Sequence, residues 1–261
     1  MGLNNLKLES SNLDELITMK LSPLRVGGAI QAKAVMLLCS YQRQRACASL
    51  LLKLDGSDFC RRLVKSALAY LFLLENRTKL QVPDPYLLAR SKGTPILDAI
   101  AATDWSLAIE IAAKSTPQWT ADMEDEDDFW YFATLGAMVG PGGASSAADP
   151  MARLIAASGG ADSARAKVLE SILNRKQDAF ETALSDVLSS WEKQANKARA
   201  SATASPYFAN IETNICVEGL ALVQLARKTG LSTAESYPFL PKHALEITPP
   251  STRPTIWEDL S

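Results

Sequence analysis

The residues with the best claim to chemistry are carboxylates and amides rather than histidines. Asp125 and Asp128 stand three apart on a predicted helix. Asn210, Asn214 and Glu218 follow one another at steps of four, so they would share a helical face. Two such oxygen-bearing faces across a cavity suit a hard cation such as Mg²⁺ and a diphosphate. The sole histidine, His243, lies in a proline-rich tail, where a structural or exposed role is expected. Histidine-based triads and multi-histidine metal sites need that side chain near a nucleophile or other ligands. No GxxxxGK[ST], strand-borne GxGxxG, HExxH or CxxC pattern occurs, and Gly142-Gly143 lacks the strand–helix context of a phosphate loop. Cys39, Cys47, Cys60 and Cys216 show no metal-ligand spacing and read as reduced core thiols.

The paired acidic and amide faces resemble the layout of the all-α terpene cyclases. The chain departs from that pattern at two places. Ile211 stands where an Asp is usual, and Asn214 stands where a hydroxyl residue is usual. No basic cluster is present to receive a diphosphate. The stronger reading of Glu218 is a buried structural ion pair, with Arg45 as its candidate partner. No metal, no cofactor and no catalytic residue are therefore expected.

Asp122, Glu124, Asp125, Glu126, Asp127 and Asp128 place six acids in seven positions, directly ahead of Phe129, Trp130 and Tyr131. As a helix start, the run complements the macrodipole. As a surface, it is an electronegative patch for a basic partner, with Trp130 and Tyr131 as aromatic anchors. Formal net charge is −2, which leaves no footprint for nucleic acid. Apolar stretches are interrupted by charge well before 18 residues, so no membrane span is expected. The N-terminus shows no apolar run after a basic start, and a cytoplasmic location is expected.

Helices must carry these residues, because apolar positions recur at three and four and β-branched alternation is absent. Predicted helices cover Leu13–Met19, Gly28–Leu54 and Phe59–Glu75. A tight hairpin spans Ile96–Ala102 and Trp105–Ala113, and a similar one spans Val168–Leu188. From Phe208 to Gly230 one long helix is expected, its apolar stripe interrupted only by Glu218. Glycine and small residues at 140–148 suggest a hinge or mobile loop, after which Asp149-Pro150 would cap a helix closed by Gly159-Gly160. Beyond residue 240, Pro241, Pro249, Pro250 and Pro254 predict an extended strap pinned by Trp257. The class is an all-α, irregular multi-helix bundle with helical-hairpin units. Residues 1–240 form one domain with the hinge inside it, followed by a proline-rich strap over 241–261.

Three segments carry a family resemblance: DAFETALSDVLSSW (178–191), ICVEGLALVQLARKTGL (215–231) and YPFLP (237–241). With ILDAIAATDWSLAIEIA (96–112), they resemble the immunity protein 49 family over residues 25–245 in helix composition and order. The resemblance implies an all-helical cytosolic protein encoded beside a bacterial toxin. Such a protein would bind that cognate toxin and occlude its active site. For a nuclease toxin, the acidic run would imitate phosphate. An α-helical scaffold or adaptor is the alternative from another class.

Overall fold

The computed structural model describes residues 3–27, 29–159, 163–247, 252–256 and 258. Gly28, Gly160, Pro249, Pro250 and Trp257, each of which carried an expectation, lie outside these residues. The fold is all-α: among the described residues there is no strand, only isolated bridges between Ile30 and Leu80 and between Tyr237 and Leu240. Among the described residues, no helix is long and apolar enough to cross a membrane.

Three long helices open the chain: α1 (Leu3–Arg25), α2 (Ala32–Lys53) and α3 (Gly56–Glu75). The first extends well beyond Leu13–Met19 because Leu6 and Ser10 continue its buried stripe toward the N-terminus, and Leu21 and Leu24 continue it the other way. Helix α2 is buried on more than one side, with Gln42 and Gln44 enclosed as well as Leu38 and Cys47. Asp55 caps α3 by accepting the Asp58 backbone N–H at 2.9 Å.

The predicted hairpin is α4 (Pro95–Ala101) and α5 (Trp105–Lys114). Every residue of α4 is buried, including Asp98. The acidic run leads into α6 (Glu126–Val139), and α7 (Gly143–Ala157) packs back along it. The segment read as a hinge is therefore mostly helix. Only Gly140–Gly142 turn, and the alanine-rich residues after them are good helix formers. Ala147, Met151 and Leu154 form the buried stripe of α7, which places Asp149-Pro150 inside that helix rather than at its start.

The second hairpin is α8 (Ala164–Leu173) and α9 (Gln177–Ala200). The long helix expected from Phe208 to Gly230 is instead three pieces: α10 (Pro206–Asn210), a 3-10 turn at Glu212–Asn214, and α11 (Val217–Lys228). Side chains that compete for backbone groups explain the break. Thr213 Oγ1 donates to the Ala209 carbonyl at 2.7 Å, and Asn214 Nδ2 donates to the Asn210 carbonyl at 2.7 Å. Ile215 is then extended, and Cys216 Sγ caps α11 by accepting the Gly219 N–H at 3.3 Å.

Helix α11 packs on α4 and also meets α8 and α9. Beyond it, Lys242–Leu245 form one helical turn, α12, where only extended chain was expected; Pro241 sits just before its first turn, a position that needs no N–H. The later tail lies on the body through buried Pro254 and Ile256, and through Arg253, which binds Asp104 on the α5 side.

Candidate functional site

The break before α11 decides where Glu218 points. In one continuous helix it would lie on the Ile215–Leu222 stripe. Instead it occupies the first turn of α11, where the helix dipole favours a carboxylate. There it meets Arg165 of α8 in a fork: Nε to Oε1 at 2.7 Å and Nη2 to Oε2 at 3.0 Å. Tyr131 Oη donates to Glu218 Oε1 at 2.8 Å, and the Arg165 guanidinium stacks 4.7 Å from the Tyr131 ring centre. Arg165 Nη1 donates to Asp128 Oδ1 at 2.9 Å. One arginine thus joins α6, α8 and α11.

Glu218 is a structural ion-pair residue, but Arg45 is not its partner. Arg45 Nε donates to Asp14 of α1 at 2.9 Å, and its Nη1 lies 3.5 Å from Asp58 of α3. The arginine that meets a fully enclosed carboxylate is Arg43, two residues earlier and on the other side of α2. Its Nε donates to Asp98 Oδ1 at 2.7 Å and its Nη2 to the Thr94 carbonyl at 3.0 Å. Its Nη1 stands 3.7 Å from Glu212 Oε1. Because α2 is enclosed on several sides, a single-stripe reading could not choose between the two arginines. The enclosed Gln42 and Gln44 were the available signal.

Between these two clusters lies a cavity of about 300 Å³. Arg43, Asp128, Arg165, Glu212 and Glu218 line it, together with the rings of Phe132, Trp191 and Phe208. Burial pushes the Glu212 carboxyl upward, and Arg43 and Gln44 offset only part of that. Asp128 is also raised, by burial first; Arg165 opposes the shift while Asp127 and Asp125 add to it. Burial works against the charged form of Arg165 as well, but Glu218 and Tyr131 more than restore it, so its guanidinium is held protonated. Tyr131 is pushed well above its ordinary value, by burial and then by the Glu218 charge, so it serves as a hydrogen-bond donor. A larger and more open groove of about 500 Å³ runs between α8 and α9, lined by Lys167, Glu170, Asn174 and Asp178 among others, and has the lining of a solvated helix pair.

The amide and acidic faces weighed for a metal are not brought together. Asn210 donates to Glu9 Oε1 at 2.8 Å, and Asn214 is held by Arg199 Nη2 and by backbone carbonyls. Asp125 is exposed at the start of α6. Glu218 and Asp128 reach the cavity, while Asn210 and Asn214 do not line it. Among the described residues, no group of three or more His, Cys, Asp and Glu side chains is placed to hold a metal ion.

The acidic run divides into two sets. Asp122, Asp125, Glu126 and Asp127 are exposed. Glu124 turns inward, its Oε2 accepting the Ser91 N–H at 2.7 Å and its carbonyl accepting the Trp119 indole N–H at 3.0 Å. Asp128 belongs to the arginine cluster. Of the two proposed anchors, Tyr131 is wholly buried and cannot reach a partner. Trp130 is half-buried; its Nε1 donates to Glu126 Oε1 at 3.1 Å, and Arg153 stacks 4.8 Å from its ring centre. His243 is exposed on α12.

No family model, curated protein or solved structure matches this chain.

Proposed function

We propose that this chain is a cytoplasmic immunity protein that binds a cognate bacterial toxin and neutralises it by covering its active site. The observation that supports this reading is the acidic face formed by Asp122, Asp125, Glu126 and Asp127. Asp125, Glu126 and Asp127 are exposed at the N-terminus of a packed helix, with exposed Asp122 in the turn before it and the partly open Trp130 beside them. Such a face attracts a basic surface, speeds encounter and can occupy a cleft built for phosphate, as in a nuclease. Trp130 supplies an aromatic anchor at its edge. Glu124, Asp128 and Tyr131 support this face from behind rather than touching the partner, because their polar groups are already bound within the fold.

The test has two parts. Expression of the neighbouring gene should be lethal alone and harmless when this chain is co-expressed. Converting the four exposed acids to Asn and Gln should slow association with that toxin, more so at low salt. A neighbour that is harmless alone, or a toxin affinity unchanged by the four substitutions, removes the proposal.

A further inference from the structure

The cavity between α4, α6, α9 and α11 has a chemical character that the ion pairs around it do not account for. Its lining sets three carboxylates, Asp128, Glu212 and Glu218, against two guanidiniums, Arg43 and Arg165. Both guanidiniums are spent on internal partners. Arg165 gives Nε and Nη2 to Glu218 and Nη1 to Asp128. Arg43 gives Nε to Asp98 and Nη2 to Thr94. The remaining nitrogen of the Arg43 fork, Nη1, faces Glu212 at 3.7 Å. The carboxylates outnumber the guanidiniums three to two. Glu212 is 7% exposed; its Oε2 accepts Gln44 Nε2 at 3.2 Å, and its Oε1 stands 3.7 Å from Arg43, beyond hydrogen-bond reach. Asp98 adds a further negative charge behind Arg43.

The opposite wall is aromatic. Trp191 and Phe208 meet edge to face at 6.2 Å, and Phe132 closes the side next to α6. Two lining polar atoms, Ser91 Oγ and Trp191 Nε1, are buried without a hydrogen-bond partner in the protein. Native interiors rarely leave such groups unsatisfied. An excess of carboxylates over guanidiniums, set against aromatic rings, is the setting in which an organic cation is held, by charge on one side and by ring faces on the other. The size is at the lower edge of small-ligand pockets, which run from about 300 to 1,000 Å³.

We infer that this cavity is a binding site for an organic cation of the guanidinium or alkylammonium class, with Asp128 and Glu212 facing its charge and Trp191, Phe208 and Phe132 around its stem. The cation is either the side chain of a basic residue in a partner or a free small amine. The inference does not depend on the toxin reading, and its failure would leave the acidic face untouched.

The experiment is calorimetric titration of the full chain with N-acetyl-arginine methylamide, which imitates a residue of a partner, with agmatine, a free guanidine, and with inorganic phosphate. Saturable binding of at least one guanidine is expected, with none of phosphate. Tighter binding of the blocked arginine assigns the site to a partner's side chain, and tighter binding of agmatine assigns it to a free amine. Asp128→Asn and Trp191→Leu should each weaken binding by about tenfold, and Trp191→Phe, which keeps a ring face, by less. Thermal melts of each variant show whether it is folded, and Glu212→Gln provides a third variant should either of the first two fail to fold. Absence of guanidine binding at millimolar concentration, binding of phosphate instead, or affinity unchanged in the folded variants overturns the inference.

Discussion

Arg165 Nε lies 2.7 Å from Glu218 Oε1, and that contact joins two helices whose residues are 53 positions apart in the chain. The same guanidinium holds Asp128 at 2.9 Å. The side chains are unequally enclosed, Glu218 at 16% exposure and Arg165 at 39%. Truncating Glu218 should hurt more than truncating Arg165, because it strands the fully buried Tyr131 hydroxyl and leaves the guanidinium with Asp128 alone as acceptor. Glu218→Ala is expected to cost about 2–3 kcal/mol and Arg165→Met about 1–2 kcal/mol, below the full cost of breaking a fully buried pair. Urea denaturation of the two single variants and the double variant measures this. A coupling of about 1 kcal/mol or more is expected from the cycle.

Asp98 is fully buried and accepts Arg43 Nε at 2.7 Å and Ser66 Oγ at 2.6 Å. Asp98→Ala would strand both donors in the interior. Its expected cost is about 3–5 kcal/mol, the range for removing one partner of a buried ionic network. By contrast Arg45→Ala, which releases Asp14 on a half-open face, should cost about 1 kcal/mol. Comparing the two by chemical denaturation tests whether the Arg43 pair, whose carboxylate is fully enclosed, outweighs the Arg45 pair, whose carboxylate is half-open.

The C-terminal segment is held by Arg253, which donates to both Asp104 oxygens at 2.9 Å, to Glu110 at 3.1 Å and to Ser106. Burial raises the Asp104 carboxyl, but the Arg253 hydrogen bond, the Leu107 N–H and Ser106 outweigh it, so the carboxyl is held below its ordinary 3.8. A depressed carboxyl contributes its stability in full above the unfolded value and loses it as pH falls through the folded value. Tail attachment should therefore be unchanged from neutral pH down to about pH 4 and weaken below that. Limited proteolysis with an acid-active protease should show earlier tail cleavage below this point, and Arg253→Ala should cleave early at every pH.

At Gly136, a Cβ would sit 2.9 Å from Ala112 Cβ, where α6 crosses α5. Neither atom can rotate away, so Gly136→Ala must push the helices apart. A loss of about 1–3 kcal/mol is expected despite the better helix propensity of alanine. Ala112→Gly in the same background should restore part of it, which thermal melts would show.

All four cysteines are buried. Burial, with smaller contributions from nearby carboxylates, pushes the Cys60 and Cys216 thiols up to about 12. At pH 8 the folded protein should give almost no reaction with a thiol reagent, and four equivalents should react in urea. Rapid labelling of the native protein would contradict this burial.

The all-α class, the two helical hairpins and the acidic start of α6 were legible in the sequence, because each is encoded locally by three-and-four spacing, caps and breakers. The presence of a core carboxylate needing a partner was legible too, since Glu218 interrupts an apolar run. The identity of that partner was not. Arg165 lies 53 residues away on a separate helix, and nothing local distinguishes it from Arg45. The break at Glu212–Asn214 turned Glu218 toward α8, and it arose from side chain–backbone competition that periodicity does not register. The same limit applies to the acidic run. Its composition announced a charged helix start, but only packing separated the four exposed carboxylates from Glu124 and Asp128, which are engaged by Ser91 and Arg165. A sequence specifies which groups must be satisfied, and the tertiary structure decides by what, because the partners are brought together by contacts far apart in the chain.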